Sequence, residues 1–151
     1  MVKDSALSEI TLRRYEKPYN LNKRELVKKI CLSLGLLQPG DSRDVIVDIL
    51  LVLLESSKER KELALEEIKE KAISLRKQNN LELKGVADSN IRRQLKRLRD
   101  IMLVEKNANN YKIAEFESLK NIFIEKIEKF LLQQIIERLK EYLHEVENLK
   151  A

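Results

Sequence analysis

Tryptophan is absent from this chain, glycine occurs three times, proline twice, and cysteine and histidine once each. Each shortage excludes something. A single cysteine, Cys31, rules out an internal disulfide, and its place inside an apolar helical pattern reads as a small buried hydrophobe in a reducing compartment. A single histidine, His144, falls on the polar side of a C-terminal helical pattern. No His/Cys set has metal-ligand spacing, and neither a glycine-rich phosphate loop nor a serine nucleophile elbow is present. Acidic residues are plentiful on every helical pattern, so choosing two as a catalytic dyad would be arbitrary. A non-enzyme without metal or cofactor is expected. Long apolar runs are also missing, since no segment approaches the roughly 18 residues of a membrane span. The most apolar stretch, "VIVDILLVLL" at 45–54, is interrupted by Asp48 and reads as a central core helix. The opening "MVKDSALSEI" has no apolar core of signal-peptide length, so a soluble, cytoplasmic protein is expected.

What the chain has in quantity is charge. Charged residues make up 36% of it, with 30 Lys and Arg against 25 Asp and Glu, a net charge of +5 and a pI near 9.2. With 43% hydrophobic residues beside them, the apolar positions must form stripes, and the scarcity of glycine and proline favours long helices. The basic excess is uneven. From residue 113 onward eight acidic side chains face six basic ones, so the surplus lies earlier in the chain. Such a balance is compatible with an anionic partner. The richness in Ile, Lys and Glu suits a thermophile or an archaeon.

Along the chain, residues 1–20 lack a strong period and read as a flexible basic arm or a strap across another element. The 21–40 segment holds a helix over about 22–37. Asn22 and Glu25 have capping-box spacing, Leu26, Ile30 and Leu34 set the period, and Pro39–Gly40 stops it. Asp41 or Ser42 can cap a second helix at about 42–56. A third at about 62–78 has Leu65, Ile68, Ala72 and Leu75 as its buried stripe. "NNLELKGVADS" is a connection with room for a short extended piece at Leu81 and Leu83, and Asp88 or Ser89 can cap the next helix. "MLVEK" and "YKIAEF" then read as two short strands around an asparagine turn, and helix resumes from about Glu115. No internal repeat is present.

The 89–99 helix is the segment with chemistry. It carries Arg92, Arg93, Lys96, Arg97 and Arg99 with no acidic residue inside the run; Asp88 and Asp100 lie just outside it. On a helical wheel Ile91, Leu95, Leu98 and Met102 share one apolar sector. Ser89, Arg93, Lys96 and Arg97 lie opposite, with Asn90 and Arg92 flanking and Arg99 near the apolar edge. A solvated basic face is the plain alternative, but such a face is normally answered by i,i+4 acids. A helix of this kind fits the major groove, where Arg reads guanine, Asn reads adenine and Lys takes phosphate. Ser89 and Asn90 stand at its N-terminus, where backbone N–H groups also take phosphate.

"DSNIRRQLKRLRDIMLVEK", a polar turn and "YKI" together resemble the end of a winged helix-turn-helix domain of the MarR- and ArsR-like transcription regulators. The resemblance covers about residues 42–116. It implies a mainly α fold with a small β-hairpin wing, a first core helix at 42–56, a positioning helix at 62–78, and a winged-helix domain bounded at 41–116. It places the recognition role on Ser89, Asn90, Arg92, Arg93, Lys96 and Arg97, foremost Arg93, Lys96 and Arg97. The wing role at 103–114 falls on Lys106, Asn109 and Lys112. Two departures stand out. Met102 occupies the position before the wing where the family often has glycine, and the 79–87 connection exceeds the usual tight turn.

The 117–151 segment continues as one long helix with an apolar stripe at Leu119, Phe123, Ile127, Phe130, Leu131, Ile135, Leu139, Tyr142 and Val146. A domain this small has little surface left to bury so many large side chains, so pairing with a second copy is expected. Lys23, Arg24, Lys28 and Lys29 of the first helix offer accessory phosphate contacts or a solvated face. The combined expectation is a homodimeric, sequence-specific regulator of transcription that binds duplex DNA. The alternatives are a winged-helix adaptor for a protein partner in chromosome segregation or polymerase complexes, or an RNA binder.

Overall fold

The computed structural model describes residues 2–150, and its architecture is mainly helical with one small antiparallel sheet. Helix α1 (Lys23–Ser33) starts at the capping box expected from the sequence. Glu25 N–H donates to Asn22 Oδ1 at 2.9 Å and Asn22 N–H to Glu25 Oε1 at 3.3 Å. The helix is shorter than the 22–37 expected, and its buried stripe runs through Val27 and Cys31. Leu26, by contrast, is exposed. Burial pushes the Cys31 thiol up to about 12, so it stays protonated and packs as a hydrophobe.

The core is built around α2 (Val45–Lys58), which is buried on most sides from Val45 to Leu53. It begins later than the 42–56 expected. Asp41 accepts from the Arg43 N–H in the preceding turn, while Asp44, the residue before the helix, makes no side-chain cap. Helix α3 (Leu65–Gln78) buries Ile68 and Ala72, with Leu65 and Leu75 at the margin, as its period predicts. Its start shifts because residues 63–64 form strand β1 (Leu63–Ala64), which the sequence reading takes as helix. Helix α4 (Asp88–Asp100) buries Ile91, Leu95 and Leu98 completely. Strands β2 (Val104–Asn107) and β3 (Asn110–Ile113) make the expected hairpin, and β1 adds to the far edge of β3, giving the order β1-β3-β2. Leu63 stands opposite Tyr111, and Val104 opposite Ile113. No strand forms at Leu81 or Leu83.

The shortage of glycine has a structural answer. Helices α1 to α4 all end in the same doubly bonded turn, in which a residue of positive φ follows the helix and the next N–H reaches back to close it. The four residues are Gly35, Arg60, Asn80 and Met102, and the closing bonds run from Leu36 to Cys31, Lys61 to Ser56, Leu81 to Arg76 and Leu103 to Leu98. Only the first is glycine, and there a side chain is also excluded by space, since a Cβ would lie 2.5 Å from Thr11 Cβ.

Thr11 belongs to the N-terminal segment, and of its two readings, flexible arm or strap, the geometry over residues 10–16 is that of a strap. Arg13 N–H donates to the Ser33 carbonyl at 2.8 Å, its guanidinium to the Leu32 carbonyl at 2.8 Å, and Ile10 and Tyr15 pack on the core. The C-terminal rod comprises α5 (Leu119–Ile122), a π-helical stretch Phe123–Leu131 and α6 (Leu132–Glu147). It begins at Ser118, whose hydroxyl accepts from Asn121 N–H, rather than at Glu115, whose φ of 55° interrupts the backbone. The wider winding of the π stretch brings residues five apart onto one side, and Ile122, Ile127 and Leu131 are all buried against the rest of the chain.

Candidate nucleic-acid interface

The outer side of α4 is positioned from beneath and from both flanks. Beneath, its three buried apolar residues lock the helix onto the core. On one flank Lys69 of α3 pairs with Asp88 at 2.7 Å, and that hydrogen bond holds the Asp88 carboxyl below its ordinary value. On the other flank Asn90 donates to the Gly85 carbonyl at 2.7 Å, and Arg97 donates to the Gly35 carbonyl at 3.1 Å. The sequence reading gives Asp88 or Ser89 as the cap of this helix. Instead Ala87 occupies the cap position, and Asp88 faces Lys69.

Ser89, Arg92, Arg93, Lys96 and Arg99 are exposed on this side. Arg92, Arg93 and Arg99 have no carboxylate partner among the described residues, while Lys96 pairs with Asp100 at 3.1 Å. Two residues of the expected recognition set are drawn inward. Asn90 holds the 79–87 connection and accepts from Gln94, and Arg97 is half-buried between Gln94 Oε1 and Gly35 O. Arg99, expected in a supporting role near the apolar edge, is instead solvent-facing.

The hairpin next to α4 divides in the same way. Lys106 and Asn109 are exposed, and the Lys106 ammonium lies 5.7 Å from the centre of the Tyr111 ring. Lys112 folds back, half-buried over the Phe116 ring at 4.6 Å and 3.7 Å from Glu105. The cations of α1 are answered internally. Lys23 pairs with Glu55, Arg24 with Asp44 and Asp48, Lys28 with Asp44, and Lys29 with Glu16.

A cluster that sequence reading does not anticipate supports the whole arrangement. Arg76 is 2% exposed and donates to Asp44 at 2.9 Å, to Asp48 at 2.7 Å and, through Nε, to the Glu82 carbonyl at 2.6 Å. Arg24 reaches the same two carboxylates from α1. Burial acts to raise the Asp44 pKa, but the Arg76 hydrogen bond and the charges of Arg24 and Arg76 prevail and hold its carboxyl below the ordinary value. The cluster joins α1, α2 and α3 and pins the long connection leading to α4. Its one signal in the sequence is an aspartate, Asp48, in the middle of an otherwise apolar helix.

The C-terminal stripe is split. Leu119, Phe123, Ile127 and Leu131 are wholly or partly covered by the protein's own core, and Ile135 is half-buried, whereas Phe130, Leu139, Tyr142 and Val146 are exposed, together with Leu143. The covered half is α5 and the π stretch, whose Ile122 and Ile127 join the core while Leu119 and Phe123 pack at its edge. Beside them remains a groove of about 720 Å³ bordered by Leu12, Tyr15, Leu26, Leu119, Phe123 and Ile124. Among the described residues no helix is long and apolar enough to cross a membrane. No group of three or more His, Cys, Asp or Glu there could hold a metal ion. Compared with protein-family models, with curated proteins and with solved structures, the chain matches none.

Proposed function

We propose that this protein is a winged-helix protein that binds double-stranded DNA and regulates transcription as a homodimer. The observation that carries the reading is the α4 side itself, where Arg92, Arg93 and Arg99 stand without carboxylate partners beside Lys96 on a helix locked by Ile91, Leu95 and Leu98. Five like charges on one helix repel one another unless an anion answers them. The β1-β3-β2 sheet supports the winged-helix assignment, because its hairpin packs against α4 through β2 and bears the exposed Lys106 and Asn109 as a second contact to the backbone. In this mechanism the duplex is attracted electrostatically, α4 lies in the major groove, and the hairpin rests on adjacent phosphates. Activity is by binding, with no catalytic step.

The dimer reading rests on the outer half of the rod. Leu139, Tyr142, Leu143 and Val146 recur at helical spacing and are more than half exposed. A second copy would cover them and set two α4 helices about one DNA turn apart.

The test is duplex binding against salt. Wild type binds at low salt and weakens steeply as salt rises, and an Arg92→Ala, Arg93→Ala, Lys96→Ala variant loses that binding. A wild type that prefers no duplex at low salt sinks the reading. Preference for structured RNA in competition would reassign the same surface to RNA. Sequencing the duplexes retained from a random pool then identifies the operator.

A further inference from the structure

We propose that the pocket between the 38–43 turn and α4 seats one phosphate group, with Arg43 as its principal ligand. This deepens the nucleic-acid reading by adding a backbone clamp outside helix and hairpin. The pocket measures about 310 Å³ and is lined by Gln38, Asp41, Arg43, Asn90, Arg93 and Arg97, among others. Three guanidiniums therefore converge on one polar hollow against a single carboxylate. That carboxylate, Asp41, is engaged, since its Oδ1 accepts the Arg43 N–H at 2.9 Å and shapes the turn.

Arg43 is exposed and has no carboxylate partner among the described residues. It stands just before the buried Asp44 that anchors to Arg76, so its backbone is fixed while its side chain is not. Arg97 is pre-oriented by Gln94 and Gly35, and Arg93 leans on Asn90 at 3.4 Å. Gln38 Oε1 accepts from the Arg13 guanidinium at 2.8 Å, which leaves the amide NH2 of Gln38 as a donor. Planar guanidinium forks suit tetrahedral phosphate oxygens, and several forks around one hollow favour phosphate over a small monovalent anion. The cations of α1, the first-helix candidates for a phosphate contact, are paired internally, whereas Arg43 is not.

The phosphate can be a phosphodiester of the duplex or a free anion, and two measurements separate them. In the first, log affinity for a fixed duplex is followed against log salt for wild type, Arg43→Gln and, as a remote control of equal charge change, Lys140→Gln. Arg43→Gln lowers the slope by about 0.9, one phosphate contact, and Lys140→Gln leaves it unchanged. In the second, inorganic phosphate is titrated while the Arg43 Nε–H and Gln38 amide resonances are followed. Saturable shifts that vanish in Arg43→Gln with an unchanged slope assign the pocket to a free anion. An unchanged slope together with no saturable shift overturns the proposal, even if duplex binding itself is intact. If wild type binds no duplex, the DNA reading fails separately and the phosphate titration alone decides the pocket.

Discussion

Helices α1 and α4 carry nearly the same crowd of cations, and the structure treats them in opposite ways. Lys23, Arg24, Lys28 and Lys29 of α1 each reach a carboxylate of the same chain, two of them at the buried Asp44–Asp48 pair. Arg92, Arg93 and Arg99 of α4 reach none among the described residues, and only Lys96 is paired. Counting positive charge therefore says little about an interface. What distinguishes the two helices is whether the acids that would answer the charge lie across the packing seam. For α1 most of them lie on α2 or just before it, at Asp44, Asp48 and Glu55, and Glu16 of the strap answers Lys29. For α4 the seam is apolar, so its cations are left facing outward.

The largest expected effect comes from breaking the α1–α2–α3 side of this comparison. Arg76→Met keeps much of the volume but leaves the two buried aspartates with Arg24 and, at Asp44, the half-exposed Lys28, and removal of one partner from a buried ion cluster costs about 3–5 kcal/mol. Urea unfolding should show that loss, and increased exchange of the 79–87 amides should accompany it, because Arg76 also holds the Glu82 carbonyl. Acid reports on the same cluster. The Asp44 carboxyl is depressed in the folded state, so its contribution is fully present above the unfolded value of 3.8 and disappears as pH falls through the lower folded value. As pH falls from 3.8 toward that lower value, wild type should lose stability more steeply than Asp44→Asn, and equal slopes would remove Asp44 from the cluster's energetics.

The second effect sharpens the comparison by treating equal charges unequally. Removing Arg92, Arg93 and Lys96 together should lower the salt slope of duplex binding by between two and three, at about 0.9 per phosphate contact. If all three face the duplex, affinity should fall by roughly two to three orders of magnitude. Lys23→Ala and Lys28→Ala on α1 should leave the slope within error of wild type. A similar drop from the α1 pair would mean that internally paired lysines also face the duplex, and the distinction between answered and unanswered charge would not hold.

Much of this frame was legible in the residues, and the misses share a cause. Apolar periodicity located α2, α3 and α4, and alternation around "NANN" located the hairpin, because both are local patterns. Strand β1 was hidden because two residues, Leu63 and Ala64, carry no period and pair only through a partner nearly fifty positions away, at Tyr111 and Asn110. The period through Leu26, Ile30 and Leu34 competes with an equally good one through Val27 and Cys31 one step on, and only the neighbours of α1 decide between them. The wheel position of Arg97 points it toward the interface. The Gly35 carbonyl that draws it inward lies sixty-two residues earlier. In the same way nothing local in the C-terminal stripe distinguishes the buried Leu131 from the exposed Leu139.

That boundary sets the third effect. Leu139→Glu places a charge in the exposed half of the stripe, where the side chain is 57% exposed in the protomer. The folded protomer should be almost unaffected, while self-association weakens by about tenfold to a hundredfold, the equivalent of one buried leucine. Sedimentation across a concentration series measures it. Ile127→Glu should instead unfold the rod, because Ile127 is fully buried within its own chain. If Leu139→Glu leaves association unchanged, the outer stripe serves a different partner from a second copy.

The smallest effect concerns the joint between α4 and the hairpin. Met102 has φ 66°, the left-handed conformation that glycine adopts without penalty, and it closes the helix through the Leu103 N–H to the Leu98 carbonyl at 3.1 Å. A non-glycine residue there stores about 1 kcal/mol of backbone strain. Met102→Gly should relieve that strain but also loosen the unfolded chain and remove a half-buried side chain, so the net gain is small, about 0.5 kcal/mol or less. The informative readout is therefore not stability alone. The four helix ends share one turn, and Gly35, Arg60 and Asn80 close theirs away from the α4–hairpin joint. If the methionine at the fourth end fixes the angle between α4 and the hairpin, Met102→Gly should keep the fold and the salt slope while reducing discrimination between duplex sequences. Undiminished discrimination would make Met102 a plain helix stop, and the angle would then be set by the packing of α4 against β2.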